Sequence, residues 1–126
     1  MYDTIFRPGT LVCANYRDFK GKLVPGVFLI VYDEALDSHH QFKNNVSALK
    51  CTTSDAIIGN YTVTLNDGNN PAVERDTIVA CSKMHTIDKV QIFKIICTIH
   101  PTTYRNVYKV YKKFTNEVER EMEDYI

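Results

Sequence analysis

The chain has 126 residues, 44% of them hydrophobic and 24% charged, and its 15 basic residues are balanced by 15 acidic ones. That length suits one domain with a substantial core, and the composition excludes wholesale disorder. Zero formal charge argues against a strong non-specific nucleic-acid binder, which needs a basic excess to neutralise phosphates.

The opening MYDTIFRPG has neither the cationic start nor the apolar core of a secretion signal. No apolar run approaches the roughly 20 residues that cross a bilayer, since Val27 to Val31 is cut short by Asp33 and Glu34. A cytoplasmic protein without a membrane partner is expected. Thr10 to Ala14, after Pro8-Gly9, reads as a first strand, and Asn15 to Lys22 as a polar connection. Gly26 to Tyr32 is a continuous β-branched and aromatic run, the pattern of a strand buried on both faces. Asp33 to Asn45, with His39-His40, reads as a long exposed loop. Val46 to Cys51 and the alternating Tyr61 to Leu65 are further strands, followed by the turn-rich Asn66-Asp67-Gly68-Asn69-Asn70-Pro71. Thr77 to Cys81 and Phe93 to Ile99 complete the set.

The period then changes. Val107, Val110, Tyr111, Phe114, Val118, Met122 and Tyr125 recur at steps of three and four, one face of an amphipathic helix. Pro101 suits its first position, where a missing N–H costs nothing. Short strands closed by one terminal helix give an all-β fold with an appended helix, α+β by a stricter definition: a small bent sheet or barrel over about 5–99 and a helix over about 101–124, in one domain. The local charge is uneven. Lys89, Lys94, Arg105, Lys109, Lys112 and Lys113 are unopposed by acids, whereas Glu117 to Asp124 is an acidic tail. Cys13, Cys51, Cys81 and Cys97 stand singly in apolar stretches, without zinc-ligand spacing, and read as reduced, buried thiols with no metal.

Five pieces, in order, resemble the MazF/PemK family of toxin endoribonucleases. They are Pro8-Gly9-Thr10-Leu11-Val12, Pro25-Gly26-Val27-Phe28-Leu29-Ile30-Val31, Ala48-Leu49-Lys50-Cys51-Thr52-Thr53-Ser54, Glu74-Arg75-Asp76-Thr77-Ile78-Val79 and Met84-His85-Thr86-Ile87-Asp88-Lys89. The last carries T-I-D-K, the family's most recognisable tetrapeptide. The resemblance covers nearly the whole chain and implies an SH3-like barrel with a long C-terminal helix. It also implies a symmetric homodimer, an antitoxin partner, single-stranded RNA as substrate and no cofactor. Departures accompany the matches. The family's principal catalytic Arg precedes the second-strand Pro, and here that place is Val24. An Arg often found before T-I-D-K is His85, and the Gln two residues earlier is Lys83. The strand-end Thr is kept as Thr52.

Metal-independent RNA cleavage uses the ribose 2′-OH as nucleophile. It requires a base, an acid for the departing 5′-oxygen and donors for the negative phosphorane. A fixed donor of that kind is worth about 10²–10³ in rate, so Val24 predicts a weak enzyme unless another cation has moved in. Thr52, Arg17 and His85 are the catalytic candidates: a hydroxyl donor, a relocated guanidinium and an imidazole that titrates near neutrality. Lys20, Lys22, Lys50, Thr53 and Lys83 are candidate RNA contacts. His39 and His40 read as solvated and His100 as a helix-cap residue. In T-I-D-K, Thr86 or Asp88 is expected to organise the turn and Ile87 to enter the core. The helix stripe is expected to serve packing and a dimer surface. Two functions follow: a toxin-type endoribonuclease yielding 2′,3′-cyclic phosphate, or a catalytically silent binding module gripping RNA or blocking a host protein, of phage or mobile-element origin. A gyrase poison of the related CcdB type fits less well, since that activity depends in its family on a terminal Trp-Gly-Ile and this chain has no Trp.

Overall fold

In the computed structural model, residues 4–36, 44–53, 59, 61–66, 68–73 and 76–125 are described. His39, His40, Ser54, Glu74 and Arg75 lie outside them. Among the described residues, six strands form one antiparallel sheet: β1 (Thr10–Arg17), β2 (Leu23–Asp33), β3 (Asn45–Thr52), β4 (Thr62–Thr64), β5 (Ile78–Asp88) and β6 (Ile92–Thr98), in the order β4-β5-β3-β2-β1-β6. Helix α1 (Pro101–Glu123) follows.

Side chains alternate across a pleated strand, so the apolar runs of β1, β2 and β3 feed two cores. Leu11, Leu29, Leu49 and Cys51 enter one, which α1 covers through Val107. Val12, Phe28, Ile30, Val46 and Ala48 enter the other, which Phe6 of the N-terminal segment closes. Phe28, Leu29 and Ile30 are all fully buried, so β2 is covered on both faces as its sequence indicates. The sheet bends where the ladders are irregular. In β3–β5, Leu49 pairs with Met84 and Cys51 with Val79, so Lys50 alone faces the stretch from Ala80 to Lys83. A bulge of this size re-aims side chains and bends the strand sharply. β5 runs on to Asp88, well past the Cys81 at which its apolar run ends; the polar Ser82 and Lys83 hide this continuation in the sequence.

The helix starts as expected. His100 is its N-cap, with Nδ1 accepting from the Thr102 N–H at 3.2 Å, and Pro101 opens the first turn. Its apolar stripe is half-buried or buried from Val107 to Val118, while Met122 and Tyr125 are exposed. Asn70 joins the loop before β5 to the helix start. Its amide donates to the Leu65 carbonyl and the Thr103 hydroxyl, and its Oδ1 accepts the His100 N–H.

Two charges in the expected exposed loop are buried instead. Asp33 and Glu34 are 0% and 8% exposed. Asp33 forms an ion pair with Lys89 at 2.8 Å and accepts the backbone N–H groups of Phe6 and Ala35. Lys89, 1% exposed, also donates to the Thr4 carbonyl. T-I-D-K is thus a structural corner: Ile87 is in the core, Asp88 caps the 3₁₀ turn 89–91 by accepting the Val90 N–H, and Lys89 clamps the N-terminal segment. Burial of an ion this deep requires a partner and hydrogen bonds to the remaining protons.

Candidate RNA cleft

The bulge in β5 opens a cleft of about 550 Å³, lined by Tyr16, Phe19, Lys50, Thr52, Lys83 and His85 together with Tyr61, Thr62, Ala80 and Ser82. β3 supplies Lys50 and Thr52, β5 supplies Lys83 and His85, and the β1–β2 hairpin supplies the two aromatics. Opposite Lys50 the ladder is interrupted, and no β5 residue pairs with it.

Lys50 is held in an aromatic box. Its Nζ lies 5.1 Å from the Tyr16 ring centroid and 5.3 Å from that of Phe28, and it donates to the Cys51 carbonyl at 2.9 Å. The Tyr16, Phe28 and His85 rings meet edge to face at 5.3–5.7 Å. Such contacts fix a cation in place as well as stabilising it. Gly26 permits the arrangement: a Cβ there would stand 2.7 Å from Tyr16 Cε1 and 3.1 Å from the Lys50 ammonium. Burial lowers the Lys50 pKa, opposed in part by Cys51. Burial also lowers that of His85, and the nearby Lys50 and Lys83 charges lower it further. At neutral pH His85 is therefore a neutral imidazole, able to accept a proton.

The hairpin tip is a preorganised turn. Asp18 Oδ1 accepts the Lys20 and Lys22 N–H groups, Gly21 takes a positive φ of 77°, and Arg17 donates to the Gly21 carbonyl at 2.9 Å. It leaves Phe19 93% exposed at the cleft mouth, with the Lys20 ammonium 5.6 Å from its ring.

The structure brings Lys50, Thr52, Lys83 and His85 together in this cleft. Thr53 lines an adjoining depression shared with Lys50 and Thr52. Arg17 lines a second neighbouring groove that shares Tyr16 and His85. Lys20 sits beside the cleft through Phe19, and Lys22 is exposed on the turn without lining it. Val24, at the family's Arg position, is half-buried and paired with Tyr16, so β2 offers no guanidinium there. Sequence reasoning missed Tyr16 and Phe19. The signal was present in Arg17-Asp18-Phe19-Lys20-Gly21-Lys22, where an aromatic interrupts a basic turn, a pattern that suits base stacking beside phosphate contacts.

Among the described residues no cluster of three or more His, Cys, Asp or Glu is placed to hold a metal ion. The four cysteines are free, Cys51 and Cys81 buried and Cys13 and Cys97 half-buried. Burial raises the Cys51 thiol pKa to about 12 and that of Cys81 to about 11, so neither is reactive at neutral pH. No described helix is long and apolar enough to cross a membrane.

Solved structures share this architecture. The Mycobacterium tuberculosis toxin MazF-mt6 superposes with a TM-score of 0.63 at 15% identity, over 85% of this chain and 96% of that one. The chain has the MazF fold. A mycobacterial endoribonuclease matches with a TM-score of 0.62 at 16% identity, over 84% of this chain and 86% of that one. A mycobacterial endoribonuclease solved with its cognate antitoxin matches at 0.61 and 16%, over 83% and 89%. No protein-family model and no curated protein matches the sequence. The likeness to MazF thus lies in the backbone fold.

Proposed function

We propose that the chain is a MazF-like, toxin-type endoribonuclease that cuts single-stranded RNA without a metal. The observation that carries this reading is the convergence of Lys50, Thr52, Lys83 and His85 in one cleft beside two aromatic side chains. Neutral His85 takes the proton of the 2′-OH, and the 2′-oxygen then attacks the adjacent phosphorus. The new P–O2′ bond replaces the P–O5′ bond, leaving a 2′,3′-cyclic phosphate. The Lys50 ammonium, its pKa lowered by burial, gives a proton to the departing 5′-oxygen. Lys83 and the Thr52 hydroxyl stabilise the phosphorane charge, and Arg17 meets a flanking phosphate from the neighbouring groove. Tyr16 and Phe19 stack bases, which single strands alone leave accessible. A homodimer and an antitoxin seated over the cleft belong to the same reading, as does cytoplasmic action.

A second reading is favoured by Val24. Without a guanidinium on β2, the same cleft can hold RNA and not cut it. Incubation with labelled RNA in EDTA separates the two. Discrete cuts with cyclic-phosphate ends, lost in His85→Ala and Thr52→Ala, support the nuclease. Retention without cutting supports the silent module, and neither outcome in the wild type removes RNA as the ligand.

A further inference from the structure

The cleft does not end at Thr52. Lys50 and Thr52 also line a depression with Val27, Thr53 and Thr77. Val27, Thr53 and Thr77 in turn line a separate cavity of about 500 Å³ on the α1-covered side of the sheet, whose far wall is Lys94 and Ile96 of β6. Three depressions that share walls in this way adjoin one another, from Phe19 past Thr52 to Lys94, and we read them as one groove.

The geometry points to this last cavity as a second RNA subsite, which takes the nucleotide flanking the one held at Thr52. The inference rests on the RNA reading above and extends it. The cavity has the composition such a ligand requires. Its floor is apolar, made by Leu11, Val27, Val73 and Ile96, and suits the face of a base. Its rim carries the exposed Thr53 side chain and an exposed ammonium, Lys94, for a phosphate. No described residue forms an ion pair with Lys94.

The wall is also fixed in advance. Asn66 accepts the Thr77 N–H at 2.7 Å and donates to the Val73 carbonyl at 3.1 Å, so the loop bearing Ala72 and Val73 is pinned to the start of β5. Asn70 holds the same loop to the head of α1. A site that needs no ordering on binding loses less affinity to entropy. Of the basic residues after Asp88, Lys94 is the one the groove reaches, which gives that local excess of charge a specific use.

The test measures the affinity of catalytically inactive His85→Ala protein for two RNAs by fluorescence anisotropy across a salt series. One is a single strand long enough to fill both sites, the other a dinucleotide that fills only the first. Adding Lys94→Gln should lower the salt slope for the long strand by about 0.7, the value for one phosphate contact on a single strand. Adding Ala72→Trp, which fills the cavity from its rim, should weaken the long strand by about fivefold or more, the scale of one base contact. Neither change should alter dinucleotide binding, and circular dichroism verifies that both variants fold. Unchanged slope and affinity for the long strand, with Lys83→Ala still weakening both RNAs, overturn the subsite and leave the RNA reading intact. Failure of the parent protein to bind either RNA overturns both.

Discussion

Replacing Lys89 by Met tests whether T-I-D-K is a structural corner. Both partners of the Lys89–Asp33 pair are almost wholly buried, 1% and 0% exposed, at 2.8 Å. Methionine fills much of the lysine stem's volume, so the change removes charge rather than packing. Removing one member of a buried pair costs about 3–5 kcal/mol, because the other charge is stranded away from water. Here Asp33 keeps two donors, the N–H groups of Phe6 and Ala35, which places the loss at the lower end, about 3 kcal/mol. For a domain of this size, 1 kcal/mol corresponds to about 4 °C in Tm, so the melting temperature should fall by about 12 °C. Urea unfolding should show a lower midpoint at unchanged slope. The double variant Asp33→Asn, Lys89→Met strands no charge but keeps an acceptor for only one of the two N–H groups, which bond different carboxylate oxygens, so it should recover part of the loss. A single-variant shift below about 3 °C, or a double variant no better than the single, would mean that the pair is hydrated in solution and the corner is held otherwise.

Further outcomes follow from the same contacts. Gly26→Ala forces the Tyr16 ring off its seat, because its Cε1 lies 2.7 Å from where the methyl would be; we expect weaker RNA retention with at most about 2 kcal/mol lost in stability, and unchanged retention would dissociate the aromatic box from the cleft. The His85 proton lines in NMR should titrate below the ordinary 6.5, and Lys83→Gln should move that midpoint upward by removing a like charge; no movement would leave burial and the Lys50 charge as its causes. Any cleavage should accordingly rise with pH below 6.5 and level off by pH 7, since the base must be deprotonated. A rate that falls over that range would assign His85 the acid's role. Folding follows the same sign: the unfolded chain binds this proton more readily, so His85 costs stability as pH falls through 6.5. Val107→Ala, at a fully buried helix position, should destabilise by about 2 kcal/mol, and a near-zero effect would place α1 off the sheet.

Most of the architecture was legible because it follows from periodicity. The run from Gly26 to Tyr32, the alternation in Tyr61 to Leu65 and the three-and-four spacing after Pro101 each specify an element and the face it buries. What escaped was long-range. Nothing local distinguishes Asp33 from a solvated loop acid, since its burial depends on Lys89, more than fifty positions away, arriving at the same corner. The second half of β5 escaped because its polar Ser82 and Lys83 line a cleft rather than a core. The same bulge explains why Lys50, Thr52, Lys83 and His85 could be named singly but not placed together. Tyr16 went unnoticed because its neighbours in space, Gly26, Lys50 and His85, come from three different strands.

The most direct test of the central claim is the ends left on RNA. Purified protein is incubated with labelled single-stranded RNA in EDTA, alongside Thr52→Ala, His85→Ala and Arg17→Ala. Discrete fragments ending in 2′,3′-cyclic phosphate, abolished by the first two changes and weakened by the third, are the predicted result. Intact RNA with the wild type, or fragments that persist at full rate in both Thr52→Ala and His85→Ala, would contradict it.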